Sequence, residues 1–277
     1  MPTLGFLHPG AMGASVGAAA AHHARVLWAT DGRSAATRAR AERAGLHPVV
    51  DLPSLVAESE VILGVCPPHA AVDLARAVAA CGFAGIYVDA NAVSPATARK
   101  VAGVVTAGGA RFVDGGIIGP PAWKPGSTRL YLSSEDALSV VALFTDTPLR
   151  AVAIDGGAGA ASALKMAYAA YTKGSAALVL AIRALAGVEG VEEALLAEWR
   201  LSQPGLDARS DRLARQNAPK AWRFVGEMEE IASSFQAAGL PGGFHEAAAE
   251  IYRRLADFKD TEAPEPAAVL ATLRSHD

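Results

Sequence analysis

A single lysine in an alanine-rich stretch is the residue of this sequence best suited to moving a proton. In "GAGAASALKMAYAAYTKG", Lys165 stands alone among small and apolar residues before Lys173. The spacing predicts a helix that carries Ser162, Tyr168 and Thr172 on the same face. Partial desolvation makes a lysine easier to deprotonate, so it can act as a general acid or base near neutral pH. Taken alone, Lys165 is interpreted equally well as a surface lysine whose stem lies along apolar neighbours.

A second candidate site lies near the N-terminus, in "LGFLHPGAMGASVG". The stretch approximates the dinucleotide-binding pattern G-x-G-x-x-G, with Gly10 and Gly13 at the last two glycine positions and His8 at the first. Gly10 would let the backbone approach a pyrophosphate, and Gly13 would allow close packing of helix on strand. Histidine adopts unusual backbone conformations more readily than most residues. A glycine-rich turn without a ligand is the alternative. The predicted cofactor contacts here are His8, Pro9, Gly10, Ala11, Met12 and Gly13.

The stretch "LWATDGRS" follows about twenty residues after the glycines, where dinucleotide-binding folds distinguish NAD from NADP. Asp31 would accept a hydrogen bond from a ribose 2′-hydroxyl, whereas Arg33 would pair with a 2′-phosphate. Thr30 and Ser34 add hydroxyl donors. Asp31 precedes Gly32 and can instead belong to a turn. Because arginine matches phosphate so well, NADP is favoured and NAD remains the alternative.

Three later loops follow predicted strands: "CPPHAA", "DANAVSP" and "DGGIIGPPAWKPGSTR". Ligands of open α/β sheets bind at the carboxyl ends of the strands, so these loops belong to the same site. We expect Cys66, Pro67 and Pro68 to line the cofactor. Asn91 offers both a donor and an acceptor to the cofactor or the substrate.

The elements that must position these residues form two patterns. Short apolar runs alternate with helical stretches through the first half, which predicts a doubly wound parallel sheet of the Rossmann type. No convincing strand follows position 160, and the second half is predicted to be all-helical. The fold class is therefore α/β plus all-α. We expect a nucleotide-binding domain over 1–156 and a helical domain over 157–277, with a long helix at about 160–186.

Composition excludes several classes of protein. The chain has 277 residues, of which 51% are hydrophobic and 19% charged, and a net charge of −3. That balance is typical of an ordinary globular protein and gives no reason to expect a nucleic-acid partner. Two cysteines and the absence of a ligand spacing predict no metal site. Residues 1–21 lack the basic segment of a secretory signal, and no later run is long enough to span a membrane. A cytoplasmic protein is expected.

Four stretches together resemble the 6-phosphogluconate dehydrogenase-like, or β-hydroxyacid dehydrogenase, superfamily. They are "FLHPGAMG", "VDANAVSP", "FVDGGIIGPPAWKPGSTRLYL" and "AASALKMAYAAYTKG", and the resemblance covers nearly the whole chain. The chain is most similar to the branch whose C-terminal helical domain has no known function and which includes apionate oxidoisomerase-type enzymes. The resemblance implies hydride transfer between a nicotinamide and a carbinol carbon, with Lys165 as general acid/base. It also implies a small-molecule substrate between the domains, near Gly119, and a homodimer formed through the helical domain.

Departures from the family pattern concern the substrate. Ala169 replaces a usual asparagine, whose hydrogen bonding we expect Tyr168 to take over. Ile118 replaces a serine and Pro120 a glycine, so the loop offers an anion fewer donors, since proline has no N–H. Hydrophobic residues here favour a larger or more apolar substrate. The predicted substrate contacts are Asn91, Ile118, Gly119, Pro120, Trp123, Tyr168 and His245, although His245 can equally be an ordinary helix-start histidine.

Three functions are consistent with these residues. The first is an NADP-dependent oxidoreductase that acts on a hydroxy or keto acid or a sugar-acid derivative. The second is a reductase of imines or ketones on a hydrophobic substrate. Lys165 favours the first over the second, because related imine reductases typically carry aspartate or tyrosine there. The third is a sensor or scaffold that binds NADP without turnover, motivated by the altered glycine loop.

Overall fold

The computed structural model describes residues 1–259 and 261–274. The chain divides into two compact units, the first Met1–Met166 and the second beginning at Ala167. One long helix therefore runs through the division. The boundary after residue 156 stays a prediction about the domains.

The first unit is built on one eight-stranded sheet. Its strands are β1 Thr3–Leu7, β2 Arg25–Ala29, β3 His47–Val49, β4 Val61–Gly64, β5 Ile86–Asp89, β6 Arg111–Ile118, β7 Thr128–Ser133 and β8 Leu149–Ala153. The order across the sheet is β3-β2-β1-β4-β5-β6-β7-β8. All neighbours are parallel except β6 and β7, which pair antiparallel with Gly116 opposite Tyr131. The predicted Rossmann-type sheet is confirmed.

Helices cover both faces of this sheet. In the first unit they are α1 Ala11–Ala20, α2 Ala35–Arg43, α3 Leu52–Glu58, α4 Ala71–Ala80, α5 Pro95–Ala107 and α6 Ala137–Val141. Three of them begin at a side chain that accepts a backbone N–H: Ser34 caps α2, Asp51 caps α3 and Ser94 caps α5. Such caps satisfy donors that the first helical turn leaves unpaired.

Alternate residues of each strand enter opposite layers of the core. Phe6 and Leu63 pack in one apolar cluster, whereas Leu7, Ile62 and Tyr87 pack in the other. Because both faces are covered, the central strands are apolar throughout rather than alternating in polarity. That is why the strands appear in the sequence as short uninterrupted apolar runs.

The second unit is helical throughout its described residues. The remaining helices are α7 Ala160–Val188, α8 Glu192–Ser202, α9 Leu206–Asn217, α10 Ala221–Ala237, α11 Gly243–Arg254 and α12 Pro266–Arg274. The helix α7 matches the long helix expected at about 160–186. Phe224, Met228 and Ile231 of α10 are buried, as is Tyr252 of α11. Tyr252 donates its hydroxyl to the Lys173 carbonyl at 2.8 Å, which ties α11 to α7.

Candidate functional site

The loop between β1 and α1 makes its tight turn at His8. The φ of His8 is +64°, in the left-handed region that favours glycine. The Gly10 N–H donates to the His8 carbonyl at 2.7 Å, which closes the turn just before α1. The first position of the glycine pattern thus keeps the glycine-like backbone, although histidine occupies it.

The two retained glycines serve different purposes. A β-carbon on Gly13 would lie 2.6 Å from the His8 carbonyl oxygen and 2.8 Å from a Phe6 ring carbon. Gly13 is therefore required for the helix to pack on the strand. A β-carbon on Gly10 would meet only the His8 carbonyl oxygen, at 4.0 Å. With a φ of −68°, Gly10 also needs no special backbone conformation. Neither packing nor conformation explains this glycine, whereas the close approach of a ligand would.

Two nitrogen atoms beside this loop are buried without a hydrogen-bond partner among the described residues. They are His8 Nδ1 and Arg33 Nε. Burial of the imidazole, together with the positive charge of Arg33, lowers the pKa of His8 from 6.5 to about 4. The imidazole is therefore neutral at pH 7. An unsatisfied buried polar atom is costly, so these nitrogens indicate a place where a polar group of a ligand can bind.

The turn after β2 holds Arg33 in place. The backbone N–H groups of Thr30 and Asp31 donate to the carbonyls of residues 49 and 50 at 3.0 and 3.1 Å. The Arg38 guanidinium donates to the carbonyls of Arg33 and Thr30. The Ser34 hydroxyl accepts the Thr37 N–H at 3.3 Å, so the predicted phosphate donor also caps α2. Arg38 was not predicted from the sequence, because its role depends on contacts made across the turn.

Asn91 lies in a buried polar cluster after β5. Its Oδ1 accepts the Cys66 N–H at 2.5 Å, and its own N–H donates to Asp89 Oδ1 at 3.0 Å. Its Nδ2 is buried, and the part of the chain that the structure describes gives it no partner. Burial and the Asp89 charge raise the pKa of the Cys66 thiol to about 12, which makes it a poor nucleophile. Asn91 therefore has the two N–H donors of its side-chain amide to offer a ligand.

The first unit brings the predicted cofactor residues to one edge of the sheet. The loops after β1, β2, β4 and β5 carry them, and these four strands are parallel. Pro67 precedes a short 3₁₀ turn, Pro68–Ala70, in the loop after β4. The Gly10 backbone, the Arg33 side chain and the Asn91 amide therefore lie on loops at the carboxyl ends of neighbouring parallel strands.

Asp114 anchors the helix that carries the lysine. This β6 carboxylate is fully buried and accepts the N–H groups of Gly159 and Ser162 at 3.0 and 2.9 Å. It also accepts the Ser162 hydroxyl at 2.6 Å. Burial raises the pKa of Asp114, and these hydrogen bonds oppose the rise. From the sequence, Asp114 was predicted only to begin a loop. Its role at α7 was not predicted, because its partners lie more than forty residues further along the chain.

Lys165 lies against the next part of β6. A β-carbon on Gly116 would come within 2.6 Å of the Ala161 carbonyl oxygen and 3.1 Å of Lys165 Cβ. Only glycine allows α7 to approach the strand this closely. The lysine is partly buried. Asp114 and Gly116 together fix the first turns of α7, and thereby the position from which the Lys165 side chain extends.

The loop after β6 is firmly attached to the first unit. Gly119 has a φ of +130°, and a β-carbon there would lie 2.4 Å from the Ser127 carbonyl oxygen. The Pro120 carbonyl accepts the Thr128 hydroxyl. The Ala122 N–H donates to Ser15 Oγ at 2.8 Å, which links this loop to α1.

The side chains of this loop differ in exposure. Ile118, the last residue of β6, is only 3% exposed, whereas Trp123 in the loop is 55% exposed. Trp123 also borders a surface recess lined by Ala11, Arg40 and Arg43. Trp123 is therefore the large apolar side chain of this loop that a ligand could reach from solvent, and Ile118 contributes mainly packing.

Tyr168 and His245 belong to the second unit. Tyr168 is exposed on α7. His245 is buried at the start of α11, with its ring 4.5 Å from that of Phe235 and 5.3 Å from that of Phe244. Burial lowers the pKa of His245. Its Nδ1 has no hydrogen-bond partner in the described ranges. The aromatic packing fits an ordinary helix-start histidine, and a substrate role for either residue stays a prediction.

The described residues contain neither a metal-binding cluster nor a membrane-spanning helix. Among residues 1–259 and 261–274, no three His, Cys, Asp or Glu side chains are grouped so that they could hold a metal ion. Within the same residues, no helix combines the length and apolarity needed to cross a membrane.

Comparison with known proteins agrees with this architecture. The chain has the fold of 3-hydroxyisobutyrate dehydrogenase from Mycobacterium tuberculosis, solved with L-serine. The two chains are 18% identical, with a TM-score of 0.73 over 99% of this chain and 100% of that one. A reductive aminase from Aspergillus terreus, solved with NADPH4, cyclohexanone and allyl amine, shares the fold at 19% identity and a TM-score of 0.57, with 99% of each chain covered. The resemblance to the β-hydroxyacid dehydrogenase superfamily is confirmed at the level of the fold.

A family model matches the helical region, and two further proteins match larger parts of the chain. Residues 186–255 match the model of a domain of unknown function, DUF1932. A conserved hypothetical protein from Sinorhizobium meliloti is 26% identical, with a TM-score of 0.71 over 99% of this chain and 96% of that one. An uncharacterized 28.5 kDa protein from Methanothermus fervidus is 32% identical over 60% of this chain and 63% of its own length. The chain thus has the dehydrogenase-type fold, and residues 186–255 of its helical region match the DUF1932 model.

Proposed function

We propose that this protein is an NADP-dependent oxidoreductase that transfers a hydride between the nicotinamide and a hydroxy or keto acid, or a sugar-acid derivative. The observation that carries the proposal is Gly10. Its missing side chain leaves open space at the N-terminus of α1, for which neither packing nor backbone conformation gives a reason. In a fold shared with 3-hydroxyisobutyrate dehydrogenase, that space fits a pyrophosphate.

The residues present fit a nicotinamide nucleotide. The Gly10 backbone and the start of α1 would hold the pyrophosphate, and Arg33 would pair with the 2′-phosphate through its partnerless Nε. The Asn91 Nδ2 would donate to the nicotinamide ribose or to the substrate. When bound, the nicotinamide supplies the chemistry of hydride exchange with a carbon atom. NAD remains the alternative cofactor, and binding of each nucleotide distinguishes the two.

Lys165 would supply the proton transfer. In the oxidation, the carbinol carbon loses its hydrogen together with the C–H electron pair, and the neutral Lys165 amine takes the hydroxyl proton. In the reduction, the Lys165 ammonium returns that proton to the carbonyl oxygen. The close contact of α7 with Gly116 gives the lysine stem a fixed origin, as a general acid/base requires.

The loop from Ile118 to Trp123 would set the substrate. The Gly119 region can meet an acid group through backbone N–H groups, but Pro120 contributes none. The exposed Trp123 ring favours a substrate with an apolar or sugar face. These features support a hydroxy acid larger than the simplest 3-hydroxy acids.

A homodimer is part of this proposal. The helix α7 exposes Tyr171, Leu178, Ile182 and Leu185, which recur at spacings of seven, four and three residues. Such a stripe is typical of a helix that packs along another helix. A second copy of the chain would cover it.

Steady-state kinetics of Lys165 variants test the function. Purified protein is assayed by NADPH absorbance against a panel of hydroxy acids, keto acids and sugar acids. We expect turnover with at least one member, and a fall of roughly two to four orders of magnitude in kcat for Lys165→Ala and Lys165→Met, with NADPH affinity retained. Retained turnover in both variants would exclude Lys165 as the acid/base.

Reduction of imines or ketones is the second candidate, favoured by Trp123 and by the fold shared with a reductive aminase. Adding cyclic imines and hydrophobic ketones to the same panel separates the two activities. NADPH binding without turnover of any member would instead support the sensor or scaffold function.

A further inference from the structure

Histidine at the first glycine position gives the nucleotide loop a side chain that the glycine pattern lacks. His8 keeps the left-handed turn, with a φ of +64°, so the substitution is accommodated by the backbone. The loop would form equally well with glycine, which adopts this conformation without strain. The imidazole is therefore explained by what it can contact rather than by the turn.

The imidazole lies near two arginine side chains, Arg33 and Arg40. Arg33, from the turn after β2, is close enough to disfavour protonation of His8. The guanidinium of Arg40, from α2, reaches the same loop and donates to the Pro9 carbonyl at 3.4 Å. His8 Nδ1 and Arg33 Nε are both buried without a partner in the described part of the chain. The two unsatisfied nitrogens and the guanidinium groups of Arg33 and Arg40 form a site that an anion with several acceptor oxygens would complete.

We infer that His8 and Arg33 together bind the 2′-phosphate of NADP, and that His8 takes up a proton when that phosphate binds. The inference rests on the proposed function, because it requires the loop to bind a nicotinamide nucleotide. A phosphate monoester carries close to two negative charges at pH 7 and three strong acceptor oxygens. Protonated imidazole can donate from both ring nitrogens, whereas neutral imidazole donates from only one.

The sign of the pH dependence follows from the free and bound states. Without ligand, burial and Arg33 hold the pKa of His8 at about 4. A dianion placed between the two side chains reverses the local field and raises that pKa. The additional affinity is fully present below the pKa of the free protein, and it is lost as pH rises through the higher pKa of the complex. NAD carries a hydroxyl at the same position, so its binding should not show this dependence.

Isothermal titration calorimetry of the full chain measures the proton directly. NADP⁺ and NAD⁺ are titrated at pH 7 in two sulfonate buffers that differ in ionisation enthalpy, which gives the protons taken up per nucleotide bound. We expect net uptake with NADP⁺ and little or none with NAD⁺. Between pH 7 and pH 8.5, the ratio of NADP⁺ to NAD⁺ affinity should fall by at most about tenfold per pH unit. At pH 7 and above, the phosphate itself, with a pKa of about 6, releases few protons and does not obscure the uptake.

His8→Asn is the informative variant, because asparagine accepts a left-handed backbone and does not titrate. It should abolish the difference in proton uptake while NAD⁺ binding is kept. His22→Asn, at an exposed histidine just beyond α1, is the matched control and should behave as the wild type. Adenosine 2′,5′-bisphosphate should reproduce the proton uptake seen with NADP⁺.

The outcomes separate the inference from the function. If the wild type binds NADP⁺ but takes up no additional proton, or if His8→Asn takes up as much, the inference is wrong and the proposed function stands. If His8→Asn loses NAD⁺ and NADP⁺ binding equally, His8 serves the loop rather than the phosphate, and the inference is again wrong. If the wild type binds neither nucleotide, both fail.

Discussion

Replacing Asp114 tests whether one buried carboxylate holds the start of the lysine helix. The side chain is fully buried and accepts the Gly159 N–H, the Ser162 N–H and the Ser162 hydroxyl at 2.6–3.0 Å. Asp114→Ala leaves these three donors buried without an acceptor. Since each unsatisfied buried group costs about 1–3 kcal/mol, we expect a loss of about 3–5 kcal/mol in the free energy of unfolding.

Asp114→Asn should behave very differently. Its amide oxygen can accept both N–H groups, and the Ser162 hydroxyl can turn to accept from the amide nitrogen. The raised pKa of Asp114 shows that burial outweighs the hydrogen bonds. A carboxyl group whose pKa is raised on folding contributes stability that is fully present below its unfolded pKa and is lost as pH rises through its folded pKa. Removing the charge at pH 7 should therefore change the unfolding free energy by no more than about 1 kcal/mol.

Urea unfolding followed by far-UV circular dichroism measures both variants. With a slope of about 3 kcal/mol/M, Asp114→Ala should lower the midpoint by about 1–1.7 M, and Asp114→Asn by under about 0.4 M. Ser162→Ala removes one of the three bonds and should cost about 1 kcal/mol. Equal destabilisation by Ala and Asn would show that the negative charge itself is needed, and the reasoning from hydrogen bonds would be refuted. A loss below about 1 kcal/mol in Asp114→Ala would refute it equally.

Three further predictions use other parts of the structure. Gly10→Val should abolish NADP binding in a fluorescence titration and lower the melting temperature only slightly, because valine is a poorer helix N-cap than glycine. Gly13→Val should lower the melting temperature much more, because its β-carbon would lie 2.6 Å from the His8 carbonyl oxygen. The free energy of unfolding should fall by about 1–2 kcal/mol between pH 7 and pH 5 because of His8. The pKa of His8 is lowered in the folded protein, so the unfolded chain binds more protons in this pH range. His8→Asn should remove that part of the pH dependence. Leu185→Glu should convert the proposed dimer to a monomer in sedimentation velocity, whereas Leu201→Glu, outside the stripe, should not; a dimer that survives Leu185→Glu would exclude this face.

Local patterns were enough to predict most of the first unit. The apolar runs of β1, β2, β4, β5, β6 and β7 stand out because strands buried on both faces contain few polar residues. The short β3 was not predicted, since three residues including Pro48 carry no periodicity and suit only an edge position. The edge strand β8 was not predicted either.

The sequence by itself determined the residue types of the site: the glycine loop, Arg33, Asn91 and the lone Lys165. These follow from spacing along the chain, which governs strand ends and helix faces directly. Only the tertiary structure decided what each residue does within the fold. Asp114 caps α7 across a gap of more than forty residues, and Gly116 admits the helix that carries Lys165. His8 and Arg33 become neighbours because β1 and β2 are parallel and adjacent. Burial and distance between remote segments create these relations, and no local pattern records them.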